Sequence, residues 1–381
     1  MQFEWTAEQR GIRNRFEALG RRLAQSAADA PAETSAPRAW QAFNAERLWH
    51  ILIPATHGGD GLGWWEFAAA FEGLASEIRS TALLMSVASQ AGFIYALLSY
   101  GSKGQQKKYF HELLNGAVSA IAISERVTGT NFQNLRTRLT PSANGYTLSG
   151  SKYNISNAPA ADVILVVAKL TEQTKENVAL VLLDQGTAGL NCAAPDSKLG
   201  NVDLPTGALT FESVGIAEEN ILGPISAGGR NLMEIASVMR IFFALATACV
   251  VAPYLRNALR YASVRQGQSQ PLNAHQYVQK KLVDIKIGLE RTKWLSYAGL
   301  SQLLARDPEA LMTCSIAKIV GSEDISNSAL ELLKLYGSDG YQIGEISRFV
   351  TDALGFLSAG GTEEMHRNSI FGQLTRVAAS A

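Results

Sequence analysis

Two hydroxyl residues, Ser124 and Ser156, close short runs suited to cradling a flat polar ligand: AIAISERVTGTN at residues 120–131 and LSGSKYNISN at residues 148–157. In the first run an apolar strand ends in Ile123 and Ser124 and turns through Gly129 and Thr130. Small side chains there leave backbone N–H groups free to face a ligand. The second run alternates with period two, passes Asn154 and ends in Ser156. Hydroxyls and glycines at strand ends are also ordinary turn chemistry, so neither run alone assigns a ligand.

The elements that must position these hydroxyls follow from the spacing of apolar residues. Residues 6–115 read as helices, because Ile12, Phe16, Leu19 and Leu23 recur at intervals of three and four. The segment ILIPATHGGDGLG at 51–63 holds a Pro and four Gly and reads as a loop. Trp64, Trp65, Phe67 and Phe71 follow it as core or pocket wall. From residue 117 to 226 the period falls to two, with β-branched runs at 162–167 and 177–183, so this stretch is a β-domain. Asn144-Gly145 marks a hairpin within it, since both residues tolerate positive φ. Amphipathic helices return at 231–261, 275–304 and 309–336, and a last helix starts near Thr362. Helices, then strands, then helices form an α+β, multidomain chain with divisions at 1–116, 117–226 and 227–381.

With 47% apolar and 18% charged residues, the 381-residue chain is a well-buried globular protein. Lys plus Arg and Asp plus Glu both number 34, so no overall basic field recruits nucleic acid or an anionic membrane. Cys192, Cys249 and Cys314 are odd in number and far apart, as reduced thiols in a cytoplasmic protein would be. No secretory core is present at the start, and the apolar run at 241–253 is too short to span a bilayer. The expectation is a cytoplasmic protein without a membrane partner. His50, His57, His111, His275 and His366 lack metal-ligand spacing and are expected at the surface or in packing, so no metal is assigned.

The two hydroxyl-bearing runs resemble the flavin cradle of the acyl-CoA dehydrogenase family, usually worded A-x-T-E-P-x-A-G-S-D and G-x-K-x-W-I-T/S-N. The loop at 54–62 is similar to the family's P-x-x-x-G-G-x-G-L, and residues 198–223 resemble the close of its middle domain. The resemblance implies an N-terminal helical domain, a central β-barrel-like domain and a C-terminal four-helix bundle, binding FAD. It assigns the ring edge to Ser124 with the backbone of Ile123, and the pyrophosphate to Thr130 beside Gly129. Ser156 belongs to the second cradle strand. Asn154 stands where the family has an aromatic over one flavin face, with Tyr153 as a neighbouring substitute.

Arg265 and Gln276 are similar to the family's R-x-x-F-G-(x)6-Q, with Gln268 and Ser269 replacing the Phe and Gly. A guanidinium fork suits a pyrophosphate because it donates two parallel charge-assisted bonds. Lys334, Gly337 and Ser338 in KLYGSDGY resemble Q-x-x-G-G-x-G-Y, and Thr362 and Glu364 resemble the family's G-T-x-E/Q near the adenosine. In the family these C-terminal residues serve the neighbouring subunit's flavin, which implies a homodimer or homotetramer.

At the catalytic position the resemblance breaks. The family removes the α-proton of an acyl thioester with a Glu while hydride passes to flavin, and a base in contact contributes roughly 10²- to 10⁴-fold. Its two customary positions read Met239, just before Arg240, and Gly360. Neither accepts a proton. Arg240 is either a pocket cation or an ion-pair partner organising the helix interface. Three explanations stand: a displaced carboxylate, with Glu363, Asp352 or Glu234 as candidates that otherwise read as solvated charges; a flavin acting on a different bond; or binding without turnover. The favoured reading is altered flavin chemistry on an acyl thioester, carried by acyl carrier protein in a specialised biosynthetic pathway rather than by CoA.

Overall fold

The computed structural model describes residues 4–28, 32–129, 134–171 and 177–380. Helices α1 (Ala7–Ala28), α2 (Ala32–Ala45), α3 (Trp64–Ala75), α4 (Thr81–Tyr100) and α5 (Lys103–Leu114) come first. Helix α4 starts where the Ser80 hydroxyl accepts from Leu83 N, and α5 starts on a Ser102–Gln105 capping box. The 51–63 loop is closed by backbone bonds such as Asp60 N to His50 O at 2.7 Å. Gly59 is required there by close approach, since a Cβ would stand 1.9 Å from Ile53 O. Phe67 and Phe71 are fully buried and meet Phe242 at ring separations of 5.0 and 5.3 Å, so the aromatic cluster is core.

The strands are β1 (Ser119–Ala122), β2 (Arg138–Ser142), β3 (Gly145–Ser156), β4 (Val163–Leu170), β5 (Val178–Asp184), β6 (Leu190–Cys192) and β7 (Thr206–Ile216). They form one curled sheet in the order β1-β4-β2-β3-β7-β6, with β5 paired to β4, rather than a closed barrel among the described residues. Almost every residue of β4 and β5 is buried, which explains their unbroken apolar text. The β2–β3 hairpin differs from expectation in register: Ser142 pairs with Gly145, so the loop residues are Ala143 and Asn144. Only Gly145 uses positive φ, at 117°, because β7 crosses so closely that a Cβ would lie 2.4 Å from Ile216 O.

The C-terminal helices are α6 (Gly228–Cys249), α7 (Val251–Val264), α8 (Gln276–Leu304), α9 (Ala310–Tyr336), the short α10 (Ser338–Tyr341), α11 (Glu345–Leu354) and α12 (Glu363–Ser380). A hairpin of β8 (Gln266–Gly267) and β9 (Gln270–Pro271) separates α7 from α8. The single helix expected over 231–261 is therefore two, broken at Val250 just before Pro253, whose nitrogen has no hydrogen to donate. Helix α11 lies in a stretch without an expected helix; it is only ten residues long and sits between Gly344 and Gly355. Helices α6, α8 and α9 pack on one another, α11 and α12 lie against α9, and α4 crosses onto α6. Contrary to the sequence reading, two stretches, Thr81–Tyr100 and Ile225–Val264, are long and apolar enough to cross a membrane. Both are mostly buried in this fold, as core helices are.

Candidate active site

The curl of the sheet brings the end of β3 against the segment that follows β1, with which it does not pair, and so brings the two hydroxyl-bearing runs together. Tyr153 N donates to Ser124 O at 2.8 Å, and Asn157 Nδ2 donates to Ser119 O at 3.2 Å. Ser124, Ser156 and Ile123 are half-buried along this flank. Neither hydroxyl has a hydrogen-bond partner among the described residues. Beneath them the Lys152 ammonium donates to Ile123 O and to Glu125 Oε1, each at 3.0 Å, and both side chains are buried. Burial alone would push the Glu125 carboxyl up, but donation from the amides of Arg136 and Thr137, and from Lys152, holds it down at about 2. Burial lowers Lys152 to about 8 against the pull of Glu125. Sequence reasoning passed over this pair because an isolated Lys and Glu, 27 residues apart, carry no local signal.

Asn154 is exposed and left-handed, with φ 56°, at a bulge between Lys152 and Ile155 in the β3–β7 ladder. Asn tolerates that conformation where a bulky aromatic is strained, which gives the substitution a backbone reason. The Tyr153 ring has the Arg126 guanidinium 4.0 Å from its centroid, so the substitute aromatic is engaged by its own loop. Gly129 has φ 57° and open space around it, and its N–H bonds Glu125 O at 2.9 Å. Thr130 lies outside the described residues.

The C-terminal candidates sit on exposed edges. Arg265 caps the end of α7 and Gln276 begins α8, both exposed, with the β8–β9 turn between them. Lys334 pairs with Glu331 at 2.6 Å, Gly337 ends α9 at φ 59° with nothing near its Cβ position, and Ser338 opens α10. Thr362 and Glu364 are exposed at the start of α12, where the Thr362 hydroxyl and a backbone amide hold the Glu364 carboxyl below its usual range.

At Met239 and Gly360, the two places where the resemblance led to an expected base, the packing is apolar. A Cβ on Gly92 of α4 would stand 2.4 Å from Met239 Cγ, so the half-buried Met239 of α6 packs directly over the α4 backbone. Gly360 has φ 72°, and a Cβ there would stand 2.9 Å from the Phe243 ring. The three alternative carboxylates are occupied. Glu234 accepts from Tyr95 at 3.1 Å and Tyr100 at 2.6 Å; Glu363 pairs with Arg367 at 2.5 Å. Asp352 is buried and accepts from Asn201 N at 2.6 Å, joining α11 to the central domain. Glu234 and Asp352 are thus not the solvated charges expected, because α4 and the 201 loop close over them.

Arg240 is buried and forms no ion pair among the described residues, which goes against the ion-pair alternative and not against a pocket cation. Its Nε donates to Gly360 O at 3.4 Å, while Nη1 has no partner. His366, expected at the surface or in packing, is fully buried beside the same carbonyl.

The Ser124 and Ser156 hydroxyls, unpartnered among the described residues, and an open glycine turn at Gly129 fit a flat polar cofactor such as a flavin. Comparison with known proteins agrees along the whole chain. Residues 6–117, 120–214 and 226–375 match the N-terminal, middle and C-terminal domains of acyl-CoA dehydrogenase. Mitochondrial isovaleryl-CoA dehydrogenase of Arabidopsis thaliana is 27% identical over 336 residues, covering 86% of this chain and 80% of that protein. The crystal structure of the prolyl acyl carrier protein oxidase AnaB superposes with a TM-score of 0.89 at 24% identity, covering 97% of this chain and all of AnaB. The FAD complex of PigA superposes with a TM-score of 0.92 at 23% identity, covering 98% of this chain and 99% of PigA. The chain therefore belongs to the acyl-CoA dehydrogenase family of FAD-dependent oxidoreductases.

Proposed function

We propose that the protein oxidises an acyl group held as a thioester on a carrier protein, by a route that does not use the family's customary glutamate. The observation that carries this reading is the apolar side chain of Met239, packed over Gly92 at a position the sequence resemblance gives to the base. The occupied states of Glu234, Asp352 and Glu363 support it, since each already has partners of its own. The likeness of the fold to a prolyl acyl carrier protein oxidase supports the choice of carrier.

FAD, when bound, supplies a hydride acceptor. The residues that hold it are Ser124 and Ser156 through their hydroxyls, Ile123 through its backbone, and Gly129 with Thr130 at the turn. Asn154 leaves one flank of the ring polar. Lys152 and Glu125 keep the two strands at fixed separation. Arg265, Gln276, Lys334, Gly337, Ser338, Thr362 and Glu364 serve the flavin of a second copy, in a homodimer or homotetramer. Their exposure supports this, as do the exposed apolar residues Val283, Ile287 and Trp294 on α8.

Anaerobic mixing with thioesters separates the readings. Carrier-bound acyl thioesters are expected to bleach the flavin, and saturated acyl-CoAs are not. Rapid reduction by a saturated acyl-CoA overturns the altered chemistry, and colourless protein that cannot take up FAD overturns the cofactor site. Met239→Glu is the cleaner restoration of a base, because a side chain at Gly360 meets Phe243 and a positive φ.

A further inference from the structure

Two basic side chains, from α6 and α12, converge on the 355–361 turn, and the buried Lys318 of α9 is close enough for its charge to act on the His366 imidazole. Arg240 of α6, Lys318 of α9 and His366 of α12 are 5%, 3% and 0% exposed. Arg240 Nε and His366 Nε2 share one acceptor, Gly360 O, at 3.4 and 3.1 Å. A carbonyl only accepts, so Nε2 carries the imidazole hydrogen and Nδ1 presents a bare lone pair. Arg240 Nη1 and His366 Nδ1 are both buried without a partner. No hydrogen bond from Lys318 Nζ is found among the described residues.

The acidic groups nearest the cluster are committed elsewhere. Glu363 pairs with Arg367, and Glu364 accepts from Thr362 and a backbone amide, although the fields of both reach Lys318 from the exposed first turn of α12. Burial lowers Lys318 to about 8, and burial with the charges of Arg240 and Lys318 lowers His366 to about 3, so the imidazole is neutral. Unmet donors and a bare acceptor in a dry interior call for a ligand that answers both.

We propose that Arg240, Lys318 and His366 form a buried receptor for a carboxyl group. One oxygen of the bound carboxylate accepts from Arg240 Nη1 and Lys318 Nζ, and a proton taken up from solvent on binding is held between its other oxygen and His366 Nδ1. A halide is too weak a base to draw that proton in, so the site selects carboxylate over chloride. The carboxyl arrives either on the acyl group itself or as a free small acid acting as an effector.

Calorimetric titration of the purified protein with acetate, against chloride at matched ionic strength, tests the site without reference to the thioester reaction. Acetate is expected to bind with a heat that chloride lacks, and Lys318→Met is expected to weaken it at least tenfold. Lys286→Met, on the exposed face of α8, is expected to leave it unchanged. His366→Leu removes the acceptor together with the Nε2 bond to Gly360 O, keeps both cations, and is expected to abolish the preference for acetate. Equal heats for acetate and chloride, or undiminished binding to folded Lys318→Met or His366→Leu, overturn the proposal and leave a site for water only. Competition then distinguishes the sources: acetate displacing succinyl-CoA but not butyryl-CoA assigns the carboxyl to the substrate, and acetate binding without such competition assigns it to a free acid.

Discussion

Lys152 on β3 meets Glu125, just beyond the end of β1, at 3.0 Å with both side chains out of solvent. The same ammonium holds Ile123 O, one residue before Ser124. One buried pair therefore sets the spacing of the two strands whose hydroxyls are assigned to the flavin. Removing one partner of such a pair leaves an uncompensated buried charge.

Lys152→Met is accordingly expected to destabilise the protein by about 3–5 kcal/mol in urea titration and to lower the fraction of protein isolated with flavin. The Glu125 carboxyl is depressed in the folded state, so its contribution is complete above the ordinary carboxylate range. That contribution is lost as pH falls toward 2. Acid unfolding followed by circular dichroism should show this loss in the parent and not in Glu125→Gln.

Gly92→Ala forces a methyl group against Met239, and overpacking of this kind costs about 1–3 kcal/mol. The thioether is flexible, so Gly92→Ala/Met239→Ala should recover most of the loss. A double-mutant cycle in denaturant reads the coupling directly.

Asp352 clamps α11 to Asn201 through two bonds, Asn201 N to Asp352 Oδ1 at 2.6 Å and Asn201 Nδ2 to Asp352 O at 2.8 Å. Burial raises its carboxyl above the usual value, with Asp203 adding to the effect and the Asn201 amide opposing it. A raised folded value means that stability from this group is present at low pH and lost as pH rises through the carboxylate range. Asp352→Asn keeps an acceptor without the charge and should cost less than Asp352→Ala, which is expected to lose about 1.5–3 kcal/mol. Urea midpoints at pH 5 and pH 8 test this, and the gap between Asp352→Asn and the parent should narrow at the higher pH.

Gln268 and Ser269 turn the β8–β9 hairpin with φ of 52° and 67°, a conformation glycine enters freely. Ser269→Gly should stabilise the fold by about 1 kcal/mol, read as a higher unfolding midpoint, because it relieves a left-handed strain. No change in the midpoint would show that the flanking strands bear none of that strain.

Periodicity alone determined the succession of helices, strands and helices, and the composition of two short runs singled out Ser124 and Ser156. These are local properties: a face of a helix or the end of a strand is written within a few residues of itself. Met239, Gly360 and Asn154, where the resemblance led to an expected base or aromatic, were equally legible as letters. What those letters do was not. Met239 finds Gly92 across 147 positions, and Asp352 finds Asn201 across 151. Arg240 and His366 find one carbonyl at Gly360. Such meetings depend on how α4 crosses α6 and how α11 and α12 lie on α9, and helix spacing does not encode a crossing between distant segments. The break at Val250 and the left-handed bulge at Asn154 were settled the same way, by what packs against the backbone. The chain's text determined which groups exist and in which elements, whereas only close packing decided which of them are spoken for and which are left unanswered.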